Sequence, residues 1–350
     1  MVSYDNRVSL EQSARNSSFI IRRTLTYPLT VNDLPVPEHR EPLLVVVGPT
    51  ASGKSRLGLE VAEAVGGEII SADAFAVYRG LDIGTDKPDA DARRRVRHHL
   101  IDVADPTEVF SAGAFVEAAS VAITDIRSRG NTPIVVGGTH FWIRALVLGL
   151  FRSPPRDPVL VARLAAEWDQ DPIATFVRLE GIDPPAAAKI GPQDRQRILR
   201  ALEVFEATGT PISEHWAAHR RSSEFDAFLI APERPRAELY AKVESRVDMM
   251  FASGLGEEVR QILASGVPND AHALKAIGYR QLVDHLNGQC DLESAIHNTK
   301  AASRKLAKRQ LTWLRSLTEG TLRWLPPADA GGTELAVRLW SEELRGRRQR

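Results

Sequence analysis

The 350-residue chain carries 45 basic and 45 acidic residues with 43% hydrophobic content, enough to bury one large core or two smaller ones and too balanced for net charge to mark a nucleic-acid or membrane partner. A single cysteine, Cys290, excludes an internal disulfide framework and zinc sites of the paired-cysteine kind. No apolar run approaches the ~18 residues of a membrane span, since residues 141–151 are interrupted by Arg144 and Gly149.

Residues 1–40 are rich in Ser, Asn and Arg, and Pro28, Pro35, Pro37 and Pro42 punctuate the approach to the first strand. They are expected to form a disordered leader. Arg7, Arg15, Arg22 and Arg23 suit an organellar transit peptide, but Asp5 and Glu11 count against one, and the cytoplasm is the expected compartment. Residues 43–47, LLVVV, read as a buried strand. They run into Gly48, Pro49, Thr50, Ala51, Ser52, Gly53, Lys54 and Ser55, which satisfy the P-loop pattern G-x-x-x-x-G-K-[ST] at every fixed position. In such a loop backbone N–H groups face inward, and the following helix, expected over residues 56–65, adds the positive end of its dipole to form a phosphate cradle. Lys54 is expected to reach the terminal phosphates and Ser55 to hold Mg²⁺. The pattern leaves open whether the phosphates belong to ATP, GTP or a diphosphate ester.

Strand-like and helix-like segments alternate from residue 41, which predicts an α/β fold with a P-loop core and a mostly parallel sheet covered on both faces. Strands are expected at residues 68–73, 100–103 and 133–136, and a helix capped by Ser111 runs to about Arg129, where Gly130 and Asn131 end it. The P-loop, Asp73 and the Gly137, Gly138, Thr139 turn all fall at the carboxyl ends of strands. Open α/β sheets bind ligands there, so the three are expected to meet in one crevice. Residues 151–222 lose the strand signals, and Pro154, Pro155, Pro158, Pro172, Pro184 and Pro185 separate helical runs. An all-helical insertion is expected there, between core segments 41–150 and 223–326. The sheet is expected to resume at residues 225–231 and again at 321–325. Residues 327–350 form the tail, with a helix expected over residues 334–344.

A motor or switch NTPase needs a strand ending in Asp to hold Mg²⁺ and orient water, yet the strand at residues 133–136 runs into Gly-Gly-Thr. Asp73 instead ends the strand after the P-loop helix, beside the phosphate site. It can serve as a base acting on an acceptor or as a cap on the turn into residues 75–78.

The motifs GPTASGKS at 48–55, ISAD at 70–73, VYRGLDIGT at 77–85 with Lys87 and Pro88, HHLID at 98–102 and VGGT at 136–139 resemble the successive motifs of tRNA dimethylallyltransferases, the IPP transferase family. DRQRILRALE at 194–203, GYRQ at 278–281 and AKRQLTW at 307–313 continue the resemblance in order. It implies transfer of a dimethylallyl group from its diphosphate to the N6 amine of the adenosine 3′ of the anticodon, tRNA position 37, in tRNAs reading codons that start with U. The P-loop then grips a diphosphate leaving group, with Lys54, Ser55 and Mg²⁺ stabilising the charge that grows on it. The resemblance implies that Asp73, matching the family's acceptor-binding carboxylate, orients the amine and accepts its proton, and that Thr139, matching its Gly-Gly-Thr threonine, lines the reaction channel. It also assigns tRNA contact to Asp73, Ala74, Phe75, Ala76 and Thr139.

An adenine held in a folded loop must leave its stack to be modified, so RNA-gripping surfaces are expected. The resemblance assigns tRNA contact to Gln196, Arg197, Ile198, Leu199 and Arg200, and to Lys275, Gly278, Tyr279 and Arg280. Periodicity puts Ile198, Leu202 and Phe205 on one face and leaves Arg197 and Arg200 off it. A second basic stripe, Lys300, Arg304, Lys305, Lys308, Arg309 and Arg315, lies in a stretch, residues 300–315, that holds no acidic residue, while Leu306, Trp313 and Leu317 are expected to face the core. After Gly-Gly-Thr this chain has His140, Phe141 and Trp142 where the family has a small residue and an aliphatic-Tyr pair. Ala74 replaces a frequent Ser, and Val161 a frequent Arg. His140 is expected to pack rather than to catalyse. The alternatives are an adenylate isopentenyltransferase using a free adenine nucleotide, a P-loop small-molecule kinase, and an RNA-binding protein without catalysis. A monomer is the default expectation.

Overall fold

A computed structural model describes residues 42–149, 154, 156–218, 225–317 and 321–348; the expected leader lies outside them. β1 (Pro42–Val47) is buried along its whole length. Leu43, Val45 and Val47 enter one hydrophobic core and Leu44 and Val46 another, which is why the strand reads as an unbroken apolar run. The chain continues through α1 (Lys54–Val65), β2 (Gly67–Ala72), α2 (Ala90–Arg95), β3 (His98–His99), α3 (Ala112–Ser128), β4 (Thr132–Gly137) and α4 (His140–Leu148). Ser111 caps α3, its side chain accepting the Ala114 N–H at 3.1 Å.

Five helices follow: α5 (Pro158–Gln170), α6 (Pro172–Ile182), α7 (Pro184–Ala187), α8 (Arg195–Thr208) and α9 (Ile212–Ala218). The prolines here are helix starters as well as separators. Asp157-Pro158, Asp171-Pro172 and Asp183-Pro184 each place a capping carboxylate before a proline in the first turn, where its missing N–H costs no hydrogen bond. Leu164, Leu179, Ile198, Leu202 and Ile212 gather into a core of their own.

The chain then adds β5 (Asp226–Pro232), α10 (Arg236–Ala252), α11 (Leu255–Ala264), α12 (Tyr279–Leu286), α13 (Leu292–Arg315), β6 (Leu322–Leu325) and α14 (Gly332–Arg348). All five strand pairings are parallel, in the order β3-β2-β4-β1-β5-β6. The chain leaves β1 toward β2 on one side and later places β5 on the other. That reversal opens a crevice at the carboxyl end of β1.

The third strand differs from expectation. Only His98 and His99 pair, with Ile69 and Ile70, while Leu100 and Asp102 take left-handed φ values of 61° and 59° and break the ladder. The apolar run at residues 100–103 is a turn instead of a strand, because Asp102 is drawn back onto Lys87 (2.5 Å) and Arg93 (2.8 Å).

Candidate active site

Leu57 is the first residue of α1 whose N–H bonds back into the turn, to Gly53 O at 3.0 Å, and no side chain caps the helix. The N–H groups of Gly53, Lys54, Ser55 and Arg56 just ahead of it are therefore available to an anion at the positive end of α1, whereas those of Thr50 and Ser52 are taken by Gln310 and Pro49 O. Gly53 stands at φ 92° and Ala51 at 62°, the left-handed conformations that fold the loop back over the helix start. Gly48, Pro49 and Ser52 are buried as the loop's floor. Lys54 and Ser55 line a cleft of about 730 Å³ together with Thr50, Asp73 and Gly138, so the three expected strand ends do converge. Burial, then the neighbouring Arg246 guanidinium, push the Lys54 ammonium down to about 8, against the pull of Asp73 and Asp86.

Asp73 Oδ1 accepts the N–H groups of Phe75 (2.9 Å) and Ala76 (3.2 Å). The capping and catalytic readings of this carboxylate thus coexist: one oxygen closes the turn, and the residue still lines the cleft. Thr139 joins the two loops, accepting the Ala74 N–H on Oγ1 at 3.0 Å while its own N–H reaches Ala72 O at 3.2 Å. Phe75 and Ala76 line the cleft, with Phe75 stacked on His272 at 6.1 Å.

Three residues that sequence reasoning gave no role complete the site. Gln310 of α13, 6% exposed, accepts the Thr50 N–H and donates to Gly138 O, both at 2.8 Å. It staples the P-loop to the Gly-Gly-Thr turn, and a Cβ on Gly138 would come within 2.7 Å of its amide nitrogen. Arg246 of α10 donates to Thr50 Oγ1 at 3.2 Å and lies 3.3 Å from the carboxylate of Asp86. The only sequence signals were Gln310's place in the 307–313 motif and Asp86's place beside residues 77–85.

The expected RNA-contact residues separate. Gln196 and Arg197 are exposed on α8, whereas Ile198 is fully buried in the helical core and Leu199 packs against it. Arg200 is turned inward onto Glu203 at 2.5 Å, because a buried carboxylate demands a partner. Lys275 and Arg280 are exposed, with Lys275 at the cleft. Gly278, at φ 97°, and Tyr279 are buried. The Tyr279 hydroxyl donates to Glu258 at 2.5 Å and accepts the Gly84 N–H at 3.1 Å, so it holds a loop instead of facing solvent.

The α13 stripe is less free than its sequence implies. Lys300 pairs with Asp248 at 2.6 Å and Arg304 with Glu244, both acids on α10, leaving Lys305 and Lys308 exposed and Arg309 at the cleft. Trp313 and Leu317 pack against the core, but Leu306 lines the cleft. His140 packs as expected, its ring stacked on Trp313 at 4.2 Å. Burial, then Lys54, push its imidazole down to about 4. Trp142 is buried against Phe115 and Phe110, and Phe141 is exposed.

A parallel sheet, an uncapped P-loop helix and a carboxylate lining the same cleft define a P-loop α/β protein with a site suited to a phosphorylated ligand. Residues 76–317 match the family model described as IPP transferase, and the chain belongs to that family. It is 45% identical over 285 residues to tRNA dimethylallyltransferase 1 of Trichlorobacter lovleyi, covering 81% of this chain and 93% of that one. With the tRNA dimethylallyltransferase of Syntrophobacter fumaroxidans it shares 40% identity over 326 residues, 93% of this chain and 95% of that one. The full-length tRNA isopentenylpyrophosphate transferase of Bacillus halodurans superposes with a TM-score of 0.65 at 35% identity, over 89% of this chain and 99% of that one. A eukaryotic dimethylallyltransferase, in crystallographic snapshots acting on tRNA, gives 0.74 at 26% identity, over 86% and 77%.

Proposed function

We infer that this protein prenylates tRNA, moving a dimethylallyl group from dimethylallyl diphosphate to the N6 amine of the adenosine 3′ of the anticodon, position 37, in tRNAs reading codons that start with U. The single observation that carries the donor half is the uncapped helix start with Lys54 and Arg246 beside it, in one cleft with Asp73. The names of the relatives carry the acceptor half, and they give no support to a free nucleotide or a kinase substrate.

The P-loop N–H groups, Lys54 and Arg246 bind the diphosphate. As the carbon–oxygen bond breaks, the electron pair stays on the diphosphate oxygen, and these preorganised donors stabilise that charge more than they stabilise the donor. Asp73, its Oδ1 fixed by two N–H groups, orients the amine and accepts the proton it loses. Thr139 holds the Asp73 turn against the Gly-Gly-Thr turn. The oxygen donors fit a divalent cation, which we take to be Mg²⁺. Among the described residues no three His, Cys, Asp or Glu side chains form a metal cluster, so Ser55 would hold the ion and the diphosphate oxygens would complete its shell. Bound there, it would add positive charge against the leaving group.

Gln196, Arg197, Lys275 and Arg280 are the exposed candidates for RNA contact. Among the described residues no helix is long and apolar enough to cross a membrane. The test uses two anticodon stem-loop RNAs that differ only in carrying adenosine or guanosine at position 37, incubated with labelled donor. Label in the adenosine RNA alone supports the assignment; equal label in both contradicts it.

A further inference from the structure

Asp86, its side chain 59% exposed, lines the cleft beside Arg246, and the surrounding structure keeps its turn there. It sits in a left-handed conformation, φ 55°, in a turn closed by Asp86 N–H to Ile83 O and Lys87 N–H to Asp82 O, both at 3.1 Å. Glu258 of α11 holds the same turn from outside, accepting the N–H groups of Asp82 (3.1 Å) and Ile83 (2.9 Å), while the buried Tyr279 hydroxyl ties Gly84 to Glu258. Lys87, its side chain 2% exposed, is spent on Asp82 and Asp102. Asp86 is therefore the acid of this turn that meets Arg246, whose other contact is the P-loop Thr50.

An acid in this position repels any diphosphate held by Arg246 and Lys54, and the penalty grows with the charge of the ligand. Esterification removes one ionisable oxygen, so free inorganic diphosphate can carry one more negative charge than the prenyl ester from which it is released. Resting on the donor reading above, we propose that Asp86 is a specificity-determining residue that weakens the hold of the cradle on inorganic diphosphate relative to the prenyl diphosphate donor. It also offers Arg246 a counter-charge when the product leaves.

The experiment is calorimetric titration of the full chain with inorganic diphosphate at low salt with Mg²⁺, for the wild type, Asp86→Asn and Asp86→Glu. Alongside it, inhibition of prenyl transfer by inorganic diphosphate is compared with the KM for the donor. Asp86→Asn is expected to bind inorganic diphosphate at least fivefold tighter, with a smaller gain for the donor, and Asp86→Glu to return toward the wild type. Unchanged binding in Asp86→Asn overturns the proposal, as does weaker binding, which would instead mark a metal-holding or structural role. Failure of the donor reading is seen separately, as a wild type that binds inorganic diphosphate but transfers no prenyl group; the calorimetry still decides the role of Asp86.

Discussion

Asp73 and Lys54 face one cleft; if Asp73 takes the proton of the acceptor and Lys54 holds the diphosphate, as proposed, their substitutions should separate those tasks. Asp73→Ala removes the proton acceptor but no phosphate contact, so turnover is expected to fall by about 10²–10⁴-fold while donor affinity is largely kept. Lys54→Ala is expected to lose both. Equal loss of donor affinity in the two variants, measured by equilibrium titration, would undo the division of roles. Lys54 also sets a pH limit. Its folded pKa is lowered to about 8, so the charged form that binds diphosphate is depleted as pH rises through that value. The KM for the donor should climb above about pH 8, and Lys54→Met should flatten that climb. Lys54 was legible in the sequence because P-loop chemistry is local, a fixed spacing between a strand and a helix. Arg246 was not, because its role arises only when α10 folds back beside the loop.

At the scale of elements, α13 carries more of the site than its basic stripe suggests. Gln310 reaches 260 residues back to Thr50, so Gln310→Leu leaves a part-buried N–H and the buried Gly138 C=O without partners, a loss of about 1–3 kcal/mol. A thermal melt should show the variant unfolding several degrees lower. Single-turnover transfer should slow as the two loops lose their common anchor, and a variant with wild-type melting and rate would refute the staple. The start of α3 was readable from sequence, since Ser111 acts on an N–H group three residues on. The end of the third strand was not. Leu100 is apolar and buried, as a strand residue would be, and only the distant Lys87 and Arg93 show that the chain turns there. The same holds for Lys300 and Arg304, whose α10 partners lie more than 50 residues away in sequence.

For the whole molecule, a net charge of zero conceals local cation pairs, and RNA binding must draw on the exposed members alone. If Arg197 and Lys275 contact phosphates, tRNA affinity should fall steeply with salt, and Arg197→Ala should reduce the slope of log K against log salt by about one. A flat salt response, read by filter binding, would contradict that assignment. The parallel sheet and its crevice follow from the alternating segments, and the separate helical core from the proline-punctuated stretch. The direction of Arg200, turned inward to Glu203, depended on a partner on the same helix that the apolar stripe did not reveal.

The most direct measurement is mass-spectrometric nucleoside analysis of unmodified anticodon stem-loop RNA incubated with the protein, Mg²⁺ and dimethylallyl diphosphate, with free AMP and ATP as acceptors in parallel. The account predicts N6-dimethylallyladenosine in the RNA and none in the free nucleotides. Prenylated AMP with unmodified RNA, or no transfer to any acceptor, would contradict it.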